Sequence, residues 1–349
     1  MKTLRDFNVK NKRVLVRCGF DVPLDNQGNI LDDFRIKETL PTIEYLVKKG
    51  AKIILMSHLG RPKGEQVPNL KLDKVQEKLA EYLDLSVIKT PDCVGPELER
   101  HTLQMSPEEI LLLENLRFHK EETQGDSKFA ADLSKLGDIY INNAFSVCHR
   151  KHASIIGVPK YLPSGAGLLL EKEISNLEKL LQNPQKPMIT IIGGKKAETK
   201  SKLINNILEI SDFILIGHLI QKEIKEKGII FKYPQKIIGP IDSIRMENNN
   251  LDIGPKTINL FKEKILKAKT IFWNGPLGMI EKAEFSKGTL EIANAIIQSK
   301  AFSIAGGGET VGFLNIMNLT SQFNHVSTGG GAILSYLSGE DLPGLRVLG

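Results

Sequence analysis

The sequence predicts an α/β protein made of two doubly wound parallel-sheet domains joined by an interdomain helix. Short apolar strands alternate with amphipathic helices along all 349 residues, and such alternation builds parallel sheets with helices on both faces. A chain of this length usually divides into two domains. The helical segment 168–181 (LLLEKEISNLEKLL) and a linker with two prolines at 183–187 (NPQKP) lie between two complete strand–helix sets. That is where a boundary is expected.

In the first half, strands are expected at Arg13–Arg17, Lys52–Met56, 109–113 and 138–141, with helices at 35–49 and 72–83. Gly50 is a natural stop for the first helix. In the second half, strands are expected at Met188–Ile192, Phe213–Ile216, 270–273, 302–305 and 325–327. Helices fit 200–210, 255–267, 284–298 and Gly331–Leu337. The predicted organisation is a domain at 1–167, a helix and hinge at 168–187, a second domain at 188–340 and a tail at 341–349.

Apolar residues make up 41% of the chain and charged residues 25%, the balance of a soluble globular protein. No window is long and uncharged enough for a membrane helix. The opening residues, MKTLRDFNVKNKR, lack the apolar stretch of a signal peptide. Cys18, Cys93 and Cys148 are odd in number and lack metal-ligand spacing, which fits a reducing cytoplasm. Cys148 beside His149 reads as an incidental neighbour pair. The net charge of +6 suits nucleic acid, an acidic surface or a phosphorylated small molecule. Much of the excess lies in mixed-sign helical faces such as Glu77-Lys78 and 222–227, and no nucleic-acid motif is present, so neither nucleic acid nor membrane is an expected partner.

Cations cluster at strand ends in the first half. His58 and Arg61 lie in SHLGRP (57–62), directly after the strand Lys52–Met56. Arg35 opens a helix after Asp32-Asp33, Arg117 ends LLENLR, and His149, Arg150 and His152 follow the strand at 138–141. A forked guanidinium suits carboxylate and phosphate oxygens. A single such arginine is an ordinary surface residue, but several beyond different strands point to one small polyanion, since ligands of parallel sheets bind at the strands' carboxyl ends.

The second half has the composition of a nucleotide site. Gly193-Gly194-Lys195-Lys196 follows a strand, and Lys200 sits one helical turn beyond Lys196, on the same face. Gly306-Gly307-Gly308 leads into Glu309-Thr310, and 327–331 (STGGG) repeats the pattern. Glycines at strand-to-helix turns let backbone N–H groups approach phosphate. Neither a Walker A sequence nor a dinucleotide fingerprint after a strand is present. Glu309 is placed to hold Mg²⁺, although an acid at a helix start also simply favours the helix dipole. Asn274, in Trp273-Asn274-Gly275-Pro276, is a candidate phosphate donor or a plain turn residue.

Together these segments resemble the phosphoglycerate kinase family over nearly the whole chain. RVLVRCGFDVP (13–23), SHLGRP, LLLENLRFH (111–119), INNAFSVCHRKHAS (141–154), LLLEKEI (168–174), IIGGKK (191–196), DIGPKTI (252–258), WNGPLG (273–278), GGGET (306–310) and STGGGA (327–332) occur in the family's order. The resemblance implies two domains with facing ligand sites. It implies that Asp21, Arg35, His58, Arg61, Arg117 and Arg150 hold 3-phosphoglycerate. Gly194, Lys196, Lys200, Asn274, Glu281, Gly306, Gly307, Gly308, Glu309 and Thr310 then match the nucleotide side, with Glu281 at the ribose and Glu309 at Mg²⁺. Arg35, Lys196 and Lys200 would be catalytic. The implied reaction is the glycolytic and gluconeogenic exchange of phosphate between 1,3-bisphosphoglycerate and ADP, giving 3-phosphoglycerate and ATP. It would run in a cytoplasmic monomer that closes about its hinge, because in-line transfer depends on positioning and positive charge.

The chain departs from the family pattern in places. Gly19 stands where a carboxylate is usual, Glu309 where an Asp is usual and Thr199 where an acid is usual. Gly217-His218-Leu219-Ile220 replaces a glycine-rich turn, and 220–252 is shortened. These departures frame an alternative: a relative that binds nucleotide or an acidic metabolite with little or no turnover.

Overall fold

The computed structural model describes residues 1–195, 197–247 and 249–349, with the backbone alone at 197–199. The chain divides into two compact units, residues 1–172 with 341–349, and residues 173–340. The last residues thus pack with the first unit.

The first unit contains β1 (Arg13–Arg17), α1 (Phe34–Lys48), β2 (Lys52–Met56), α2 (Asp73–Leu83), β3 (Val87–Lys89), α3 (Pro96–Gln104), β4 (Ile110–Leu112), α4 (Lys120–Gln124), α5 (Ser127–Ser134), β5 (Ile139–Asn142) and β6 (Ser164–Ala166). The strands form one sheet in the order β3-β4-β2-β1-β5-β6, with every pairing parallel. Leu15 stands in register with Ile54 on one side and Tyr140 on the other, and all three are fully buried. Truncating Leu15 to Ala would cost about 2–5 kcal/mol. α1 buries Ile36, Thr39, Ile43 and Leu46, an i, i+3, i+4 stripe against the sheet. Its end is closed at Gly50, whose N–H bonds Val47 O and whose φ is +67°.

α6 (Leu168–Gln182) carries the division between the units, which falls between Lys172 and Glu173. The second unit continues with β7 (Met188–Ile192), α7 (Ala197–Ile207), β8 (Phe213–Ile216), α8 (His218–Lys227), β9 (Ile237–Ile238), β10 (Ser243–Met246), β11 (Asn249–Ile253), α9 (Pro255–Ile265), β12 (Thr270–Asn274), α10 (Lys287–Ser299), β13 (Phe302–Gly306), α11 (Gly308–Ile316), β14 (His325–Val326) and α12 (Gly331–Leu337). Its main sheet has the order β14-β13-β12-β7-β8-β9 and is again all parallel. β7 and β12 are buried at every position, as expected for strands covered on both faces. Both units therefore have the predicted parallel-sheet α/β architecture.

The elements beyond the prediction have a physical explanation. β3, β6 and β9 hold only two or three residues each, too few to show a period. β10 and β11 form an antiparallel hairpin with mostly exposed side chains, so no apolar alternation marks it. Among the described residues no helix is long and apolar enough to cross a membrane.

Candidate active site

In the first unit the predicted site residues Asp21, His58, Arg117 and Arg150 lie beyond β1, β2, β4 and β5, four strands that are consecutive across the sheet. β1 leads to Asp21, β2 to His58, β4 to Arg117 and β5 to Arg150. Ser57 fixes the start of the SHLGRP loop: its hydroxyl accepts from Phe20 N at 2.9 Å and donates to Cys18 O at 2.9 Å. Gly60, at φ +66°, turns the chain so that its N–H donates to Asp21 Oδ1 at 2.9 Å and its carbonyl accepts from Arg117 at 2.8 Å. Asn115 pins the facing loop, accepting from Leu59 N and Arg117 N and donating to Leu59 O and Leu70 O.

Arg17, at the end of β1, organises this site. It is fully buried and donates to Ser154 Oγ at 2.9 Å, to Cys18 O, and to His58 Nδ1 at 3.0 Å. Ser154 in turn donates to Glu122 Oε1 at 2.6 Å, and its N–H reaches Glu122 Oε2 at 2.9 Å. Glu122 is itself fully buried, with Oε1 4.0 Å from Arg17. Sequence reasoning missed this Arg17–Ser154–Glu122 relay. The signal was present: Arg17 closes β1 directly after the apolar run Val14-Leu15-Val16, in a strand paired on both sides.

The charge balance leaves the cluster strongly cationic. His58 is 2% exposed. Burial, with Arg17 and Arg117 nearby, pulls it down to about 4 against the pull of Asp21. It is therefore a neutral imidazole whose Nε2 faces Asp21 Oδ2 at 3.6 Å. His152 is brought to about 3 by burial and by Arg117, Arg17, His58 and Arg150. Burial opposes the charge on Asp21, but His58, the Gly60 N–H and Arg35 outweigh it and hold the carboxyl well below its usual range. Arg35 donates to Asp21 O at 2.7 Å. Arg117 keeps a buried Nε without a partner. Arg61 and Arg150 are exposed. The field of Arg150 reaches Arg117 and His152, whereas among the described residues no hydrogen bond or ion pair joins Arg61 to the cluster. At Gly19 an added Cβ meets only Ser146 Oγ, at 3.4 Å, so the position is open.

In the second unit the glycine turns follow β7, β12 and β13, which are adjacent in the sheet. Gly193 N donates to Asn274 O at 2.9 Å, Gly194 N to Pro276 O at 2.7 Å, and Gly275 N to the buried Thr310 Oγ1 at 2.9 Å. The backbones of Gly193 and Gly275 touch: a Cβ on Gly275 (φ +95°) would fall 2.4 Å from Gly193 O, so only glycine fits there. Lys200 is 8% exposed and its ammonium donates to Gly193 O. Burial lowers it to about 8, opposed by Glu309 and Glu223. A Cβ on Gly194 would meet Lys200 Nζ at 3.4 Å and Glu309 Oε2 at 3.8 Å, so both charges flank the same bare backbone. Asn274 is 3% exposed, and its Nδ2 has no partner. That Nδ2 lies 3.0 Å from where a Cβ on Gly307 would stand.

Gly306, Gly307, Gly308, Glu309 and Thr310 run from the end of β13 into α11. Lys196 lies outside the described residues, as does the side chain of Thr199. Glu281 is exposed in the loop after β12, and among the described residues no hydrogen bond or ion pair ties it to the glycine turns. His218 opens α8, and its Nε2 contacts Asp242 O at 3.1 Å.

A cationic cluster on one parallel-sheet unit and a set of glycine turns with a buried lysine on another are the arrangement expected of a phosphotransferase. The comparisons specify it. The family model described as phosphoglycerate kinase matches residues 4–230 and 218–340. The phosphoglycerate kinase of Dictyoglomus turgidum is 45% identical over 387 residues, covering 99% of this chain and 97% of that protein. That of Aquifex aeolicus is 42% identical over 384 residues, covering 98% and 96%. The solved structure of phosphoglycerate kinase from Pyrococcus horikoshii OT3 has a TM-score of 0.90 at 32% identity, covering 100% of this chain and 98% of that one.

The chain belongs to the phosphoglycerate kinase family. It is a phosphotransferase with a carboxyl group as acceptor, acting on 3-phosphoglycerate and ATP or their products. These relatives support the enzyme and do not favour the alternative without turnover. The two stretches matched by the family model overlap at 218–230, which runs into the segment 220–252 that the sequence marks as shortened.

Proposed function

We propose that Asp21, Arg35, His58, Arg61, Arg117 and Arg150 bind 3-phosphoglycerate in the first unit, and that Gly194, Lys196, Lys200, Asn274, Glu281, Gly306, Gly307, Gly308, Glu309 and Thr310 bind the nucleotide in the second. The observation that carries this reading is the cationic cradle around a neutral His58. Burial and neighbouring arginines keep that imidazole unprotonated, so the arginines supply the positive charge and His58 supplies one N–H. Arg117, with a buried Nε left unpaired, is poised to donate to an anion.

Mg²⁺ enters with the nucleotide. Mg²⁺ takes few protein carboxylates and the phosphate oxygens of its substrate. One exposed carboxylate, Glu309, in the first turn of α11 beside the Lys200 ammonium fits that demand. Mg²⁺ would neutralise phosphate charge there, while Lys200 and the first-turn N–H groups of α11, which begins at Gly308, orient the terminal phosphate. Lys196, Lys200 and Arg35 then stabilise the charge spread over the transferring group. The acceptor and the nucleotide are assigned to different units, so transfer requires movement about 168–187 and exclusion of water. Both units lie in one chain, so a monomer suffices. Three buried cysteines, none of them in a disulfide, suit a reducing cytoplasm. A coupled assay with ATP, Mg²⁺ and 3-phosphoglycerate tests the whole reading: turnover above background that Arg117→Ala abolishes supports it, and turnover indifferent to that change rejects the cradle.

A further inference from the structure

Away from both sites, Asp92, Cys93 and His119 bring a carboxylate oxygen, a thiol sulfur and an imidazole nitrogen within 4.8 Å of one another. We propose that these three residues form a site for a thiophilic divalent cation of the Zn²⁺ class, separate from the Mg²⁺ that accompanies the nucleotide.

The donor set decides the class. Sulfur, nitrogen and oxygen together suit Zn²⁺, whereas Mg²⁺ takes oxygen alone. In a tetrahedral zinc shell the ligand atoms stand roughly 3.3–3.7 Å apart, so separations of up to 4.8 Å have to shorten by about 1 Å and the Asp92–His119 pair, at 2.6 Å, has to open by about 0.7 Å. Asp92, the exposed member, is free to make that adjustment.

The other two ligands are held in place. His119 stacks on Phe129 with ring centroids 5.0 Å apart, which fixes the ring plane. Cys93 is 1% exposed, and its thiol donates to Glu114 O at 2.9 Å. In the metal-free chain Asp92 Oδ1 bonds His119 Nε2 at 2.6 Å and accepts from Cys93 N at 2.6 Å. The carboxylate thus already joins both partners. The Glu114 side chain is committed elsewhere, to Lys89, Leu72 N and Asn115 N, and leaves the cluster a three-ligand set with an open position. Asp92 is exposed, so a hydrated ion can reach the cluster from its side.

The protons balance. The Asp92 hydrogen bond raises His119 above its ordinary value, and burial raises the Cys93 thiol. A cation entering the cluster displaces the thiol proton and any proton on the liganding imidazole nitrogen to solvent, with no change in oxidation state. Uptake is therefore tighter at higher pH.

The test uses the full chain, stripped of metal and kept in excess Mg²⁺, titrated with Co²⁺ as the spectroscopic probe. The expected result is one Co²⁺ per chain with a sulfur-to-cobalt charge-transfer band, bleached by Zn²⁺. Cys93→Ser should abolish the band. His119→Gln and Asp92→Asn should each weaken Co²⁺ binding by more than about tenfold. Cys18 and Cys148 are the other thiols, so a band that survives Cys93→Ser overturns the proposal, as does a parent protein with no band. If Cys93→Ser does not fold, the other two variants decide, and unchanged Co²⁺ affinity in both overturns it.

Discussion

Arg17 donates a guanidinium N–H to Nδ1 of His58 across 3.0 Å, and this bond fixes the protonation of the cluster proposed to hold 3-phosphoglycerate. A guanidinium has no lone pair to offer, so Nδ1 must accept and the imidazole proton sits on Nε2, towards Asp21. A doubly protonated His58 would set one N–H against another inside a buried pocket.

The first prediction concerns acid stability. Folding lowers His58 from 6.5 to about 4, chiefly through burial. The unfolded chain therefore takes up this proton first as pH falls. The contribution is fully present above about pH 6.5 and is lost as pH drops towards 4, for about 3 kcal/mol in all. Urea unfolding at about pH 7.5 and about pH 5 should show the parent losing roughly 2 kcal/mol more than His58→Gln over that interval. Equal losses would mean that His58 is not the acid-labile group.

A second prediction follows from the relay behind His58. Arg17→Met removes the donor to Ser154 and His58 and leaves Glu122 buried without its cation. Breaking a buried pair on one side costs about 3–5 kcal/mol. Denaturant unfolding should show that loss together with weaker 3-phosphoglycerate binding. Arg17→Lys should recover little, because an ammonium cannot span the three acceptors that the planar fork reaches.

Arg61 and Arg150 are exposed, so removing either should spare the fold and affect the ligand alone. A charged hydrogen bond to phosphate contributes about 1.5–3 kcal/mol, so Arg61→Ala and Arg150→Ala should each weaken 3-phosphoglycerate more than about tenfold by calorimetry. Unchanged affinity in one variant removes that residue from the cradle.

Glu309→Ala should raise the Mg²⁺ concentration needed for half-maximal turnover. Glu309→Asp should match or exceed the parent, since a shorter carboxylate still reaches a phosphate-bound ion. If Glu309→Ala leaves the Mg²⁺ dependence intact, the metal assignment is wrong.

The architecture was legible because β7 and β12 are buried along their whole length, so their apolar runs stand out. Arg35, His58 and Arg117 were legible as cations beyond strand ends. Their order in the cradle was not. It depends on Arg17, Ser154 and Glu122, which lie far apart in the chain and act through hydrogen bonds that no local pattern encodes. The cluster of Asp92, Cys93 and His119 was hidden for the same reason: ligand spacing along the sequence says nothing when two loops supply the ligands. His58 shows a further limit. Its position suggests a cation, yet burial beside two arginines keeps it neutral.

The sharpest prediction concerns Lys200. Its ammonium sits against Gly193 O at the phosphate turn, lowered to about 8 mainly by burial and kept from falling further by Glu309 and Glu223. It is therefore mostly charged at neutral pH, and a nucleotide phosphate arriving beside it would raise it further. A buried, desolvated ammonium interacts far more strongly with developing charge than an exposed one. Lys200→Met keeps the chain length and the apolar stem while deleting the charge. If Lys200 acts on the transferring phosphoryl group, turnover should fall by about 10²–10³ while the Michaelis constant for ATP stays within about threefold. If it only anchors the nucleotide, the Michaelis constant should rise at unchanged turnover. Stability separates both outcomes from misfolding. Methionine fills the same buried space but leaves Gly193 O without the Lys200 donor, so the variant should still unfold in one cooperative transition, with a stability loss of no more than the about 1–3 kcal/mol that an unpaired buried acceptor costs.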